Sequence, residues 1–121
     1  MTYCLDAEGN PQMELRDVYL RDNRRCVYCG FGDGSFEQHV QLTIDHIIPG
    51  RPGRPKSEKE DNFAIACYAC NLAKGGFDPS EGSLDTPGQR REEMINRAKT
   101  QVLRRRAEWR SIYDRQYSKS N

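Results

Sequence analysis

The sequence predicts a small α+β protein in which a cysteine-bound zinc ion supports a thin hydrophobic core. Three observations predict it: a segment with the alternation of a β-strand, two Cys-x-x-Cys pairs, and helical patterns on both sides of them. The chain has 121 residues, of which 36% are hydrophobic and 31% are charged. That length favours one domain, and that composition favours a core with an additional staple.

Composition and pattern divide the chain into four segments. They are an N-terminal tail at residues 1–12, a core at 13–76, a linker at 77–85 and a basic amphipathic helix at 86–121. No apolar stretch approaches the roughly 20 residues of a membrane span, and the first residues lack the pattern of a secretory signal. We therefore expect a cytoplasmic protein without membrane contact, in a compartment where thiols stay reduced.

The strand pattern lies at residues 40–48. In "VQLTIDHIIPG" every second residue of the first half is apolar, which is the period of a half-buried strand. Asp45 and His46 interrupt this pattern before the Pro-Gly turn. A polar pair at the end of a strand is usually structural, so the pair alone does not indicate chemistry.

Helical patterns flank this strand. A short helix is predicted from about residue 13 to residue 20. A second helix covers some or all of residues 63–74 and ends at the Gly-Gly pair that follows. Its start is open between two alternatives, because Asn62 could cap it or it could begin as late as Cys67.

The last helix has a strong start signal and a long apolar stripe. Thr86, Pro87 and Gln89 have the spacing of a capping box with proline at the first helical position. The apolar stripe consists of Ile95, Ala98, Val102, Trp109 and Ile112. This face is expected to pack on the domain, on a second copy of the chain or on a partner protein.

Two cysteine pairs have the spacing of a zinc site. Cys26-x-x-Cys29 and Cys67-x-x-Cys70 can each direct two sulfurs to one ion, and together they complete a closed tetrahedral site. The alternative is two thiol pairs of redox or accidental origin. Cys4 has no partner in this pattern and is expected to be a free thiol.

The residues that could react lie beside these cysteines. Asn71 and Lys74 fall on the helical stripe of the second pair, and a zinc ion joining the two pairs would bring them near Asp45 and His46. Asp45 and Asn71 could offer oxygen ligands to a divalent cation such as Mg²⁺. His46 could take a proton from water, and Lys74 could hold a phosphate oxygen.

The distribution of charge favours a polyanionic partner for the C-terminal helix. Residues 86–121 contain ten Lys or Arg against four Asp or Glu, whereas residues 1–85 contain nine against fourteen. Candidate contacts to a nucleic-acid backbone are Arg51, Arg54 and Lys56 in the loop after the strand, and Arg104, Arg105 and Arg106 in the last helix. A solvated helix face is the alternative.

The segments "CVYCG", "LTIDHIIP" and "DNFAIACYACNLAKGG", in this order, resemble the HNH endonucleases of the zinc-bearing ββα-metal type. The resemblance implies that His46 is the general base, that Asp45 and Asn71 hold a catalytic metal, and that Asn62 ties the loop between strand and helix. Some members have His where this chain has Asp45, and many have His where it has Asn71. Oxygen ligands favour Mg²⁺ or Mn²⁺ over zinc at that position.

These observations lead to a functional expectation. The chain is expected to be a metal-dependent endonuclease that hydrolyses DNA phosphodiester bonds. One alternative is a non-catalytic zinc module that binds nucleic acid or protein. The other is an interaction protein whose last helix pairs with another chain.

Overall fold

A three-stranded antiparallel sheet and four α-helices make up the part of the chain that the structure describes. The computed structural model describes residues 2–3, 7–9 and 15–118. In chain order the elements are β1 (Thr2–Tyr3), α1 (Arg16–Arg21), α2 (Phe36–His39), β2 (Leu42–His46), β3 (Phe63–Cys67), α3 (Tyr68–Lys74) and α4 (Arg91–Tyr117). The predicted α+β class is confirmed. Cys4 and the predicted helix start at Met13 lie outside the described residues.

The two central strands and the helix after them form a β-β-α unit. Strand β2 pairs with β3 in an antiparallel register that places Leu42 opposite Cys67 and His46 opposite Phe63. Leu42, Ile44 and Ile65 are fully buried in the hydrophobic core. The strand predicted at residues 40–48 is therefore confirmed over its central five residues.

The structure corrects the helix that the sequence predicts at residues 63–74. Residues 63–67 form strand β3, all five of its residues are buried, and helix α3 begins only after Cys67. A short apolar run fits a buried strand and a buried helix equally well, so periodicity could not separate them. The later of the two predicted helix starts is the right one. The helix ends as predicted at Gly75, whose φ of 53° favours glycine.

Helix α4 packs against α3 through the first half of its apolar stripe. Met94, Ile95, Ala98 and Val102 are buried, whereas Ile112 is exposed. The predicted capping box is not formed. A 3-10 turn at Gly88–Arg90 precedes α4, and neither this turn nor α4 has a side-chain cap.

None of the helices in the described ranges combines the length and the apolar composition that a membrane crossing requires.

The predicted tail and linker both contain ordered structure. Within the tail, Thr2–Tyr3 form strand β1 and pair with Thr43 and Ile44 of β2. Within the linker, the carboxylate of Asp78 accepts hydrogen bonds from the backbone N–H groups of Ser80 and Gly82. Residues 77–85 are therefore a series of tight turns between α3 and α4.

Asp22 joins three elements at the end of α1. One of its oxygens accepts a hydrogen bond from the backbone N–H of Ile65 at 3.0 Å. Its carboxylate also pairs with Arg91 at the start of α4, at 3.2 Å, and with Arg21. Only 4% of the Asp22 side chain is exposed, so loss of the carboxylate leaves buried donors without a partner.

We expect Asp22→Ala to lower the free energy of unfolding by about 3 kcal/mol, because it breaks a buried charge network. Asp17→Ala, which removes an exposed carboxylate from the same helix, should cost less than about 1 kcal/mol. Urea denaturation at a fixed zinc concentration measures both variants. Equal losses in the two would contradict the role given to Asp22.

Candidate active site and zinc site

The sulfur atoms of the two cysteine pairs lie together. The Sγ atoms of Cys26, Cys29, Cys67 and Cys70 are all within 4.8 Å of one another, and those of Cys29 and Cys67 are 3.7 Å apart. In a tetrahedral zinc site with Zn–S bonds of about 2.3 Å, neighbouring sulfurs are about 3.8 Å apart. The four sulfurs are thus positioned to form a closed zinc site, as the spacing predicts.

Protonation of the thiols is strongly interdependent. The hydrogen bond with Cys26 lowers the pKa of Cys67 well below its ordinary value, and the same contact raises the pKa of Cys26. The pKa of Cys70 is also raised, chiefly by its hydrogen bond with Cys26. One thiolate is therefore stabilised by neighbours that keep their protons. A zinc ion would remove this competition, because thiols that coordinate it are deprotonated.

Helix α4 contacts this cluster through Arg106. Its Nη1 atom donates a hydrogen bond to the Sγ of Cys70 at 3.3 Å. Four thiolates around one divalent ion carry excess negative charge, which the guanidinium partly neutralises. Arg106 is predicted to contact nucleic acid, but in the structure it is committed to the cysteine cluster.

A cleft of about 140 Å³ lies between the end of β2 and the end of α3. Its walls are Ile44, Asp45, His46, Pro49, Gly50, Lys56, Asn71 and Gly75. Three of the predicted reactive residues therefore border one space. Asp45 and His46 are adjacent in β2, so their side chains point to opposite faces of the strand and contact different neighbours.

Asp45 is buried and held at both carboxylate oxygens. The hydroxyl of Tyr28 donates to Oδ2 at 2.5 Å, and the Nζ of Lys74 lies 3.4 Å from Oδ1. Burial raises the pKa of Asp45 above its ordinary value, while the nearby charge of Lys74 lowers it. The side chain is therefore a fixed carboxylate in a low-dielectric wall of the cleft.

Lys74 faces inward instead of toward the cleft opening. Its side chain is fully buried, and Nζ donates to the backbone carbonyl of His46 at 3.0 Å as well as pairing with Asp45. The sequence predicts that Lys74 holds a substrate phosphate, but this ammonium group is enclosed by protein. Its geometry instead links the end of α3 to the two reactive residues of β2.

Hydrogen bonds fix the orientation of the Asn71 amide. Its Nδ2 donates to Thr43 Oγ1 at 2.8 Å and to the Ile44 carbonyl. Thr43 uses its own hydroxyl proton on the carbonyl of Ala66, so Thr43 Oγ1 must accept from Asn71. The amide nitrogen therefore faces the sheet, and Asn71 also lines the cleft.

His46 is oriented by a ring and a carboxylate. Its imidazole packs edge-on against Phe63 with the ring centroids 5.2 Å apart. Its Nε2 lies 3.1 Å from a carboxylate oxygen of Glu58. An ionised carboxylate can only accept a hydrogen bond, so this contact places the imidazole proton on Nε2 and leaves Nδ1 as the acceptor.

Asn62 closes the loop that separates the two central strands. Its Oδ1 accepts from the backbone N–H of Ile48 at 2.8 Å, and its Nδ2 donates to the carbonyls of Ile48 and Ser57. Asn62 is fully buried and does not line the cleft. Its side chain thus holds residues 48–62 as a closed loop next to the reactive residues.

Comparison with known proteins identifies a family that this arrangement is similar to. Residues 26–77, which include both cysteine pairs and every residue of the cleft, match the family model described as HNH endonuclease. No curated protein and no solved structure matches the chain.

Two of the cations predicted to contact nucleic acid are already paired with carboxylates. Arg51 forms an ion pair with Asp78 at 3.2 Å, and Arg54 pairs with Asp85 and donates to the carbonyl of Leu84. These partners belong to the turns at residues 77–85. No sequence pattern indicates that these turns lie next to the loop that contains Arg51 and Arg54. Lys56 is exposed and lies at the cleft itself.

Sequence reasoning missed three residues that shape the HNH site. Tyr28 holds Asp45, Glu58 holds His46 and Thr43 orients Asn71. Tyr28 stands between the first two cysteines, where any residue would satisfy the zinc spacing. Glu58 stands in a loop of mixed charge, where the sequence indicates only that it offsets nearby lysines and arginines. Alternation in β2 gave Thr43 a polar position, which was the one available signal.

The zinc site makes a prediction about metal content. We expect purified protein to hold one zinc ion per chain, and Cys70→Ser to release it at a much lower chelator concentration, because three thiolates remain. Cys4→Ser should keep its zinc. Elemental analysis before and after dialysis against EDTA measures both. A folded wild-type protein without zinc would contradict the assignment.

Proposed function

We propose that the chain is a DNA endonuclease that uses a divalent metal ion held by the HNH domain. The observation that carries the proposal is the convergence of Asp45, His46 and Asn71 on one cleft. A carboxyl group, an imidazole and an amide oxygen are groups that metal-assisted phosphodiester hydrolysis can use. The family of the segment supports the same reaction class.

Asp45 and Asn71 are the residues that would hold the catalytic ion. Both offer oxygen and both line the cleft, and the hydrogen bond from the Asn71 amide nitrogen to Thr43 does not use the Asn71 oxygen. Oxygen donors and few protein ligands fit Mg²⁺ or Mn²⁺. When bound, such an ion supplies positive charge that stabilises the phosphoryl and leaving oxygens.

His46 is the proposed general base. Glu58 holds Nε2–H, so Nδ1 can accept a proton from the attacking water, and the carboxylate stabilises the imidazolium that forms. Lys74 and Asn62 are proposed to act as positioning residues. Lys74 fixes the carbonyl of His46 and the carboxylate of Asp45, and Asn62 fixes the loop that carries Glu58.

DNA is proposed to contact the protein through Lys56 and the second half of α4. Lys56 lies at the cleft, where a scissile phosphate must enter. Arg104 and Arg105 lie on α4 beyond its last buried residue, Val102, where Arg104 donates a hydrogen bond to Gln101 and Arg105 lies over the ring of Trp109. The same stretch of helix is also the surface that a second copy or a partner protein would use.

We expect the wild-type protein to cleave supercoiled plasmid with Mg²⁺ or Mn²⁺ and to stop when EDTA is added. His46→Ala should lower the rate at least about 100-fold, because the base is lost. His39→Ala, which removes the chain's other histidine from outside the cleft, should stay active. Equal cutting by both variants would exclude His46 as the base. An inert wild-type protein would favour the non-catalytic zinc module.

The salt dependence of DNA binding tests the proposed contacts on α4. In a His46→Ala background, Arg104→Ala with Arg105→Ala should lower the slope of log affinity against log salt by about 1.8, because each lost phosphate contact removes about 0.9. The matched double variant replaces Arg90, which lies in the turn before α4 and pairs with Glu93, and Arg110, which pairs with Asp114 on α4. This control variant should change the slope of log affinity against log salt less than the Arg104 and Arg105 variant does. Equal changes in the slope for the two double variants would contradict the DNA contacts proposed for Arg104 and Arg105.

A further inference from the structure

Both carboxylate oxygens of Asp45 are held by residues that the cysteine pairs carry. Tyr28 lies between Cys26 and Cys29, and it donates to Oδ2 at 2.5 Å. Lys74 lies four residues after Cys70 in α3, and it pairs with Oδ1. The zinc site and the cleft therefore share a direct connection through side chains.

Tyr28 has little freedom to move independently of the first cysteine pair. The backbone N–H of Val27 donates to the carbonyl of Ile65 in β3 at 2.9 Å, and that of Cys26 donates to Phe31 at 2.8 Å. The Tyr28 side chain is fully buried. Its hydroxyl therefore occupies a position that the folded cysteine turn dictates.

We propose that Tyr28 is a positioning residue that orients the Asp45 carboxylate for the catalytic metal ion. The inference rests on the proposed function, because it assigns Tyr28 a role toward the ion that Asp45 would hold. It gives the cysteine cluster a second role, since the turn that binds zinc also sets the direction of a ligand in the cleft.

The chemistry of the contact supports this role. A phenol oxygen 2.5 Å from the carboxyl oxygen that accepts its proton forms a short hydrogen bond. Tyr28 has one proton to donate, so it engages one lone pair of Oδ2 and leaves the others. Partners of this kind fix the orientation of metal-binding carboxylates, and their loss typically weakens metal binding about 10- to 100-fold.

Tyr28→Phe tests the proposal, because it removes one oxygen atom and keeps the buried ring. Tyr68→Phe is the matched control: Tyr68 directly follows the zinc ligand Cys67, but its side chain is exposed. The measurement is Mn²⁺ binding to the zinc-loaded protein by electron paramagnetic resonance, with Asp45→Ala identifying the ion that Asp45 holds. Zinc content is determined for every variant.

We expect Tyr28→Phe to keep its zinc and to raise the Mn²⁺ dissociation constant about tenfold, with Tyr68→Phe unchanged. Cleavage at saturating Mn²⁺ should change far less than the Mn²⁺ concentration for half-maximal rate. Equal Mn²⁺ binding by Tyr28→Phe and wild-type protein would overturn the inference and leave the endonuclease standing. Mn²⁺ binding that Asp45→Ala does not affect would overturn both.

A measurement on the wild-type protein decides the question if Tyr28→Phe does not hold zinc. In uniformly ¹³C- and ¹⁵N-labelled protein, Mg²⁺ should shift the Tyr28 Cζ and hydroxyl resonances, because the carboxylate that accepts its proton becomes a metal ligand. The resonances of Tyr68 should not move. A Tyr28 signal that is unchanged at Mg²⁺ concentrations supporting cleavage would refute the connection.

Discussion

Four sulfur atoms within 4.8 Å of one another are the constraint on which this fold depends. They join two segments that are 38 positions apart in the chain, measured from Cys29 to Cys67. The first segment brings the Tyr28 hydroxyl to Asp45 of β2. The second segment begins helix α3, which carries Asn71. Arg106 attaches the long C-terminal helix to the same cluster. A core this thin gains from a centre that several elements contact at once.

The wall of the cleft is built from buried polar groups that satisfy one another. The Lys74 ammonium binds Asp45 and a carbonyl of His46, while Thr43 accepts from Asn71 and donates to β3. Burying a charged pair is costly, and apolar residues of similar size would often be as stable. The proposed metal site explains why the buried Asp45–Lys74 pair is present, because a metal ligand must be held in a fixed orientation.

Sequence reasoning located the features that depend on local spacing. The cysteine pairs, the strand around Asp45 and the end of α3 at Gly75 follow from residue types a few positions apart. It missed what depends on tertiary contact. The sequence of strand β3 is a short apolar run that fits a strand and a helix equally well. The inward direction of the Lys74 side chain depends on its tertiary contact with Asp45.

The turn at Arg51–Arg54 has a consequence for how the protein can be extended. Two reciprocal backbone hydrogen bonds close this turn, and Pro52 and Gly53 at its tip are exposed. Below it, Gly50 leaves no room for a side chain, since a Cβ there would lie 2.9 Å from the backbone nitrogen of Lys56. The backbone at Gly50 is thus closely packed, whereas Pro52 and Gly53 are exposed to solvent. Sequence inserted between Pro52 and Gly53 would leave the packed base of the turn unchanged, which makes this turn a natural point for adding a segment that recognises a target.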